Sequence, residues 1–170
     1  MSLTATQADI KCVEPENLHI TLKFLGEVGD TQLEQIIKSV REVSVEPFHM
    51  LLTGLGVFPK LNRPRTVWVG LENGVAEITK VFSDVEKKLV KMGFEAERRS
   101  FHPHLTVCRI RSGRNRAPLV EEITRQAVYE LGTVYVDKIV LKKSILTQRG
   151  PIYTNLAESK TRPIDISTNN

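Results

Sequence analysis

Two short segments constrain this chain more than anything else in it. Leu18-His19-Ile20-Thr21-Leu22 and Phe101-His102-Pro103-His104-Leu105-Thr106-Val107 both contain His-x-Thr-x, with an apolar residue at each x. Successive side chains of an extended strand point to opposite faces. His19 and Thr21 therefore share one face, as do His104 and Thr106. Ile20, Leu22, Leu105 and Val107 point the other way. Each segment offers an imidazole and a hydroxyl to one side and anchors itself in a core with the other. A single tripeptide of this kind carries little information, because short motifs recur by chance. Two copies on strand-like alternation carry much more.

The copies stand 85 residues apart, His19 to His104, and the sequence around them repeats loosely. A turn at 26–30 and an amphipathic helix follow the first. A turn at 111–118 and another helix follow the second. Each helix leads to a strand, 48–57 and 133–141. The same shift lays 66–71 on 151–156. So long a period excludes a solenoid. It describes a duplicated module whose halves face each other, each supplying one His-x-Thr edge to a shared cleft.

The remaining pattern supplies the elements. Residues 10–13 read as a short strand, and 18–25 as the first motif strand, with Lys23 on the face of His19 and Thr21 and Phe24 on the core face. Thr31-x-x-Glu34 has the form of a capping box. It opens a helix with apolar residues at Leu33, Ile36, Ile37, Val40 and Val43, which Pro47 ends. Gly54 and Gly56 interrupt the strand at 48–57, marking a bulge or a close backbone approach. Residues 75–92 give the best helix, closed by Gly93 as its C-cap. The 111–118 stretch reads as a polar loop, with a helix from Leu119 to Leu131. The 142–150 stretch reads as a loop, 152–156 as a short strand, and 158–170 as a polar, mobile tail.

Composition bounds the class. A chain of 170 residues suits one domain or two small lobes. It has no apolar run of about 18 residues, so no membrane span is expected. Cys12 and Cys108 form no metal-spacing motif and read as reduced thiols, which points to the cytoplasm. A net charge of +4 permits a nucleic-acid partner without requiring one.

Two histidines across a cleft suit acid–base work near neutrality, because an unperturbed imidazole titrates near ~6.5. One takes a proton from a nucleophile and the other gives one to a leaving oxygen. The threonine hydroxyls would donate to nonbridging phosphate oxygens, and nearby cations would offset developing charge. This arrangement needs no metal and fits in-line displacement at a phosphodiester. Zinc binding would favour a third Cys, His or carboxylate ligand, and Thr is a poor neighbour for each His; His102 is the one candidate third ligand. A Ser or Cys nucleophile lacks an elbow motif. Cys108 shares the alternation of His104 and Thr106 but reads as a packed thiol, and His49 as structural.

Cations cluster by the second motif: Arg98, Arg99, Arg109, Arg111, Arg114 and Arg116. Lys60, Arg63 and Arg65 sit in the other half. Solvated loops explain any one of them, and clustering favours phosphate contacts for some. Phe58 or Tyr153 could stack on a base, though either suits a core as well.

Glu16-Asn17-Leu18-His19-Ile20-Thr21-Leu22-Lys23-Phe24-Leu25-Gly26-Glu27 and Phe101-x-Pro103-His104-Leu105-Thr106-Val107-x-Arg109 resemble the paired motifs of the 2H phosphoesterase superfamily. The nearest branch is the RNA 2′,3′-cyclic phosphodiesterases, also called 2′-5′ RNA ligase-like proteins, above all the archaeal ones. Gly54-Leu55-Gly56-Val57-Phe58-Pro59, Trp68-Val69-Gly70 and Lys143-Ser144-x-Leu146-Thr147-x-x-Gly150-Pro151-x-Tyr153 are similar to that branch too. The resemblance implies an α+β, bilobal, duplicated fold: two antiparallel β-sheets flank a central cleft, helices lie outside, and each lobe carries one motif. It implies metal- and cofactor-independent opening of RNA 2′,3′-cyclic phosphate ends to a 2′-phosphate, with reversible 2′-5′ ligation of tRNA halves as a side reaction.

On that resemblance His19 and His104 are the acid–base pair, and Thr21, Thr106 and Arg109 the phosphate ligands. Lys23, Phe58, Arg111, Arg114 and Tyr153 are candidate RNA contacts. Strict alternation sets Arg109 on the wrong face, so a bulge or strand end is expected near it. Residues 1–157 form the single bilobal domain. A monomer is expected for the family, but its first strand and helix are expected to be missing ahead of the first motif, which would expose a sheet edge that dimerisation could cover. The rival function is a non-catalytic nucleotide- or RNA-binding module.

Overall fold

The computed structural model describes residues 2–148 and 150–162. In chain order its elements are β1 (Ile10–Cys12), α1 (Asp30–Glu42), β2 (Ser44–Val45), β3 (Phe48–Phe58), β4 (Thr66–Leu71), α2 (Val75–Lys91), β5 (Leu105–Ile110), α3 (Arg116–Arg125), β6 (Glu130–Val136), β7 (Val140–Thr147), β8 (Gly150–Glu158) and β9 (Lys160–Thr161). Short 3-10 turns lie at Leu3–Thr6 and Pro15–Asn17. Five strands form one sheet in the order β1-β5-β4-β3-β6, β7 pairs with β8, and β2 pairs with β9. The β1–β5, β5–β4, β4–β3 and β7–β8 ladders are antiparallel, and β2–β9 is parallel. The class is α+β, as expected.

The chain forms two compact units, each discontinuous in sequence. The first gathers the described residues of Met1–Leu22, Met50–Val75 and His102–Val134; the second those of Lys23–His49, Ala76–Phe101 and Tyr135–Asn170. Each unit therefore takes pieces from both halves of the repeat. Both His-x-Thr segments belong to the first unit, which corrects the expectation of one in each lobe. The physical reason lies in the backbone. Ile20 bridges Leu105 in antiparallel sense, so the first motif returns to the edge of the strand that carries the second.

The first unit's core lies on one face of its sheet. Leu55, Val67, Val69 and Cys108 from the strands pack against Leu119 and Ile123 of α3. Val67 and Leu119 are fully buried, and burying a side chain of that kind contributes about 1.5–3 kcal/mol. Pro118 sits in the first turn of α3, where a missing N–H costs nothing, so that helix starts at Arg116, inside the expected loop. It also ends earlier, and Leu131 belongs to β6. Gly54 makes the expected bulge in β3: the register shifts between Thr53 and Leu55, and φ is +66°. Gly56 makes the close approach, because a Cβ there would run into the Trp68 indole.

In the second unit α1 packs on β7 and β8 and buries Ile36 and Ser39. The capping box does not form: the helix starts at Asp30 with Gly29 as N-cap, which puts Thr31 inside the first turn. It stops at Glu42, because Ser44-Val45 leaves to pair with β9, and Pro47 plays no part in the ending. Helix α2 follows its prediction. Gly93 closes it at φ +91°, and the Gly93 and Phe94 amides donate to the Val90 and Leu89 carbonyls. Phe82 of α2 stacks on Phe101 with ring centroids 4.2 Å apart.

Residues 142–147, expected as loop, are strand. They extend β7, whose far half is exposed, so its polarity reflects solvent on the pleat and not an absence of ladder. The tail also starts later than expected. Glu158 closes β8 and Lys160–Thr161 form β9, while 163–170 lie outside the described residues. Among the described residues no helix is long and apolar enough to cross a membrane.

Candidate active site

Residues 18–25 are not a ladder strand. Among the described residues the segment's one bridge is Ile20 to Leu105, because β1 occupies the edge of β5 from Cys108 to Ile110. The 3-10 turn at Pro15–Asn17 separates the two contacts along that edge. Among the described residues no strand pairs with the segment beyond Leu22, and Phe24, expected in the core, is 85% exposed. The bridge sets Ile20 on the side of Leu105, so His19 and Thr21 fall on the side of Thr106.

The second motif lies where expected, with His104 just ahead of β5 and Thr106 within it. The ladder with β4 pairs Trp68 with Thr106, then Val67 with Cys108, which leaves Val107 as an extra residue. This is a β-bulge, and it shifts the alternation of β5 by one. Thr66 faces Arg109 and Trp68 faces Thr106, so Thr106 and Arg109 share a face after all. Cys108 turns to the core instead and is 3% exposed, which corrects its expected position beside His104 and Thr106. Burial pushes its thiol pKa up, and the neighbouring Cys12 thiol pushes it further, so Cys108 is a poor nucleophile.

The two imidazoles are held in the same way. The Nδ1 of His104 lies 2.8 Å from the carbonyl oxygen of His102, and the Nδ1 of His19 lies 2.7 Å from that of Asn17. A carbonyl only accepts, so each Nδ1 carries the proton and donates it. The neutral ring then has its lone pair on Nε2, the nitrogen that can take a proton from water or, once charged, give one away. Both contacts run to the residue two positions back. The sequence pattern alone did not announce this feature. It follows from an extended backbone that carries an imidazole past its own i−2 carbonyl.

Aromatic residues enclose His104. Phe58 meets it edge-on at 5.0 Å between centroids, Trp68 lies at 6.1 Å, and Phe58 and Trp68 are 5.4 Å apart. Gly56 lies opposite Trp68 in the ladder and gives the indole its room. The Trp68 N–H is buried with no hydrogen-bond partner among the described residues. Sequence reasoning noted Phe58 as a stacking candidate and Trp68 only as part of a family-like segment. Their contact with His104 depends on cross-strand register, which no local pattern displays.

His19, Thr21, His104 and Thr106 are half-buried, and Arg109 is exposed. Arg111 and Arg114 are exposed in the turn after β5. Lys23 belongs to the second unit. Its ammonium donates to both Glu86 carboxylate oxygens at 2.8 Å and to the Glu95 carbonyl at 2.7 Å. The pair is 10% and 15% exposed, so the Lys23 ammonium is held by a largely buried carboxylate. Burial by itself raises the Glu86 pKa. The Lys23 ammonium and the Glu97 amide outweigh it and hold the carboxyl below its usual range. Tyr153 is also in the second unit, with the Lys142 ammonium 5.8 Å from its ring centroid. His49 packs against Tyr135 at 5.1 Å, in keeping with a structural role.

A sheet edge bearing two oriented imidazoles, two hydroxyls and an arginine is suited to chemistry at a phosphate ester. The family model described as LigT like Phosphoesterase matches the chain in two consecutive segments, residues 2–68 and 69–153, with one His-x-Thr in each. The chain belongs to this family of 2H phosphoesterases. The RNA 2′,3′-cyclic phosphodiesterase of Aeropyrum pernix is 43% identical over 159 residues, covering 94% of this chain and 90% of that protein. Its counterpart from Methanothermobacter thermautotrophicus is 44% identical over 161 residues, covering 91% and 84%. Among solved structures, TT0787 of Thermus thermophilus matches with a TM-score of 0.71 at 22% identity, over 92% of this chain and 87% of that one. LigT of E. coli, complexed with 3′-AMP, matches with a TM-score of 0.68 at 22% identity, over 88% and 80%. At that identity these structures speak for the fold.

Proposed function

We propose that this phosphoesterase hydrolyses 2′,3′-cyclic phosphate ends of RNA to 2′-phosphates, with His19 and His104 as its acid–base pair and no metal. The relatives named RNA 2′,3′-cyclic phosphodiesterase support the substrate. The observation that carries the mechanism is the matched anchoring of both rings through Nδ1, which makes Nε2 the lone-pair nitrogen of each neutral ring. His104, as neutral base, takes a proton from water as the water oxygen attacks phosphorus. The bond from phosphorus to the ribose 3′-oxygen breaks in line, and protonated His19 gives its proton to that oxygen. The Thr21 and Thr106 hydroxyls donate to the nonbridging oxygens, and Arg109 offsets the charge they gain. With a ribose 5′-hydroxyl in place of water, the same steps in the same direction join RNA ends by a 2′-5′ bond, and their reverse cleaves it back to the cyclic phosphate.

The test is hydrolysis of a short RNA ending in 2′,3′-cyclic phosphate, with EDTA present, separating 2′- from 3′-phosphate products. Conversion to the 2′-phosphate is the expected result. Conversion only without EDTA overturns the metal-free mechanism. A 3′-phosphate product overturns the assignment of the leaving oxygen, and RNA binding without turnover overturns the activity.

A further inference from the structure

The antiparallel pairing of β1 with β5 sets Cys12 directly opposite Cys108. Backbone hydrogen bonds fix the kind of pair. The Val13 amide donates to the Val107 carbonyl at 2.8 Å, and the Arg111 amide to the Asp9 carbonyl at 2.9 Å. Hydrogen-bonded and non-hydrogen-bonded pairs alternate along such a ladder. With 13–107 and 9–111 hydrogen-bonded, the 12–108 pair is non-hydrogen-bonded. In that kind of pair the Cα atoms approach to about 4.5 Å and the side chains come closest. A disulfide needs Cα atoms roughly 4.4–6.8 Å apart, so the backbone already stands where a bridge can close.

The two thiols differ in access. Both are free; Cys12 is exposed and Cys108 buried. Neither takes part in the chemistry proposed above. Burial and the facing Cys12 thiol keep Cys108 protonated, and the influence of one thiol on the other reflects their closeness.

We propose that Cys12 and Cys108 form a dithiol site that closes a reversible cross-strand disulfide by exchange with a small-molecule disulfide of the glutathione type. The Cys12 thiolate attacks one sulfur of the oxidant, whose S–S bond breaks and releases one thiolate. Cys108 then gives up its proton, and its sulfur attacks the Cys12 sulfur of the mixed disulfide. The second oxidant thiolate leaves. Two protein thiols become one disulfide, and one small disulfide becomes two thiols. The thiolate is the attacking species, so exposure makes Cys12 react first, and closure by Cys108 is the slower step, faster in alkali. Cys108 stands between the bulged Val107 and Arg109. The bridge therefore fastens the edge strand to the strand that carries Thr106 and Arg109.

The experiment incubates the whole chain with glutathione disulfide, quenches in acid, denatures, alkylates with iodoacetamide, and reads intact and peptide masses. The expected product is a monomer two hydrogens lighter than the reduced chain, with no alkylatable thiol and residues 12 and 108 cross-linked. It should form about tenfold or more faster at alkaline than at neutral pH, in line with the thiolate dependence, and dithiothreitol should restore both thiols. Cys108→Ser should stop at a glutathione adduct on Cys12, and Cys12→Ser should stay unmodified. A wild-type chain that stops at the adduct, that oxidises only to a Cys12-linked dimer, or that does not react overturns the proposal.

Discussion

The Nδ1–H of His104 donates to the carbonyl of His102, 2.8 Å away, and so decides which ring nitrogen is left for proton transfer. His19 repeats the contact on Asn17. If both rings act through Nε2, His19→Ala and His104→Ala should each lower kcat by about a hundredfold or more, the usual yield of general acid–base catalysis. The rate should fall on both the acid and the alkaline side, because one imidazole must be neutral and the other charged. Cyclic phosphate hydrolysis across a pH series checks both. A single mutant with near-wild-type turnover would remove the two-histidine mechanism.

Phe58 holds the His104 ring edge-on, and 40% of its own surface is exposed. Phe58→Ala should therefore affect turnover more than folding. An aromatic pair contributes about 0.5–1.5 kcal/mol, which bounds the loss in kcat at roughly tenfold. Phe58→Tyr should restore most of it. Thermal unfolding of both variants separates a displaced ring from a damaged fold.

Gly56 leaves no room for a Cβ beside Trp68. Gly56→Ala should move the indole and destabilise the chain by about 1–3 kcal/mol, the usual cost of overpacking. Trp68 is the one tryptophan in the sequence, so its fluorescence reports the movement directly. Gly29→Ala, where nothing lies within 4 Å, is the control and should leave the spectrum unchanged.

The Lys23–Glu86 tie makes stability depend on pH in one direction. The folded state holds the Glu86 carboxyl below its usual range. Its contribution is therefore complete above the unfolded-state value, near ~4.3, and is lost as pH falls through the lower folded value. Glu86→Gln should flatten the acid end of the denaturation curve. Lys23→Met should cost about 1–3 kcal/mol, as for a lost hydrogen bond to a charged group. It should leave KM for the RNA within about twofold, whereas a clear rise in KM would mark Lys23 as an RNA contact.

Residue pattern alone made the family and the candidate motifs legible, and the fold less evenly. The two His-x-Thr pairs, helix α2 with its Gly93 stop, and the roles of Gly54 and Gly56 follow from local spacing, which is what a sequence displays. The Lys23–Glu86 tie was not legible because the partner is 63 residues away and no local pattern shows the pairing. The far half of β7 misled because a polar exposed strand reads like a loop. The first motif misled because alternation was read as a strand where a single bridge holds an extended segment. Strict alternation also misplaced Cys108, although the trouble it caused at Arg109 was itself the trace of the bulge.

That bulge acts as a half-period phase slip written by one residue. Upstream of Val107 the strand keeps one parity and downstream the other, so the arginine and the cysteine exchange sides without any change in composition. A relative that kept all of these residues but paired them without the bulge would keep every recognisable letter of the motif while turning its cation inward and its thiol outward. Aligning relatives across this stretch by residue type alone would miss the difference.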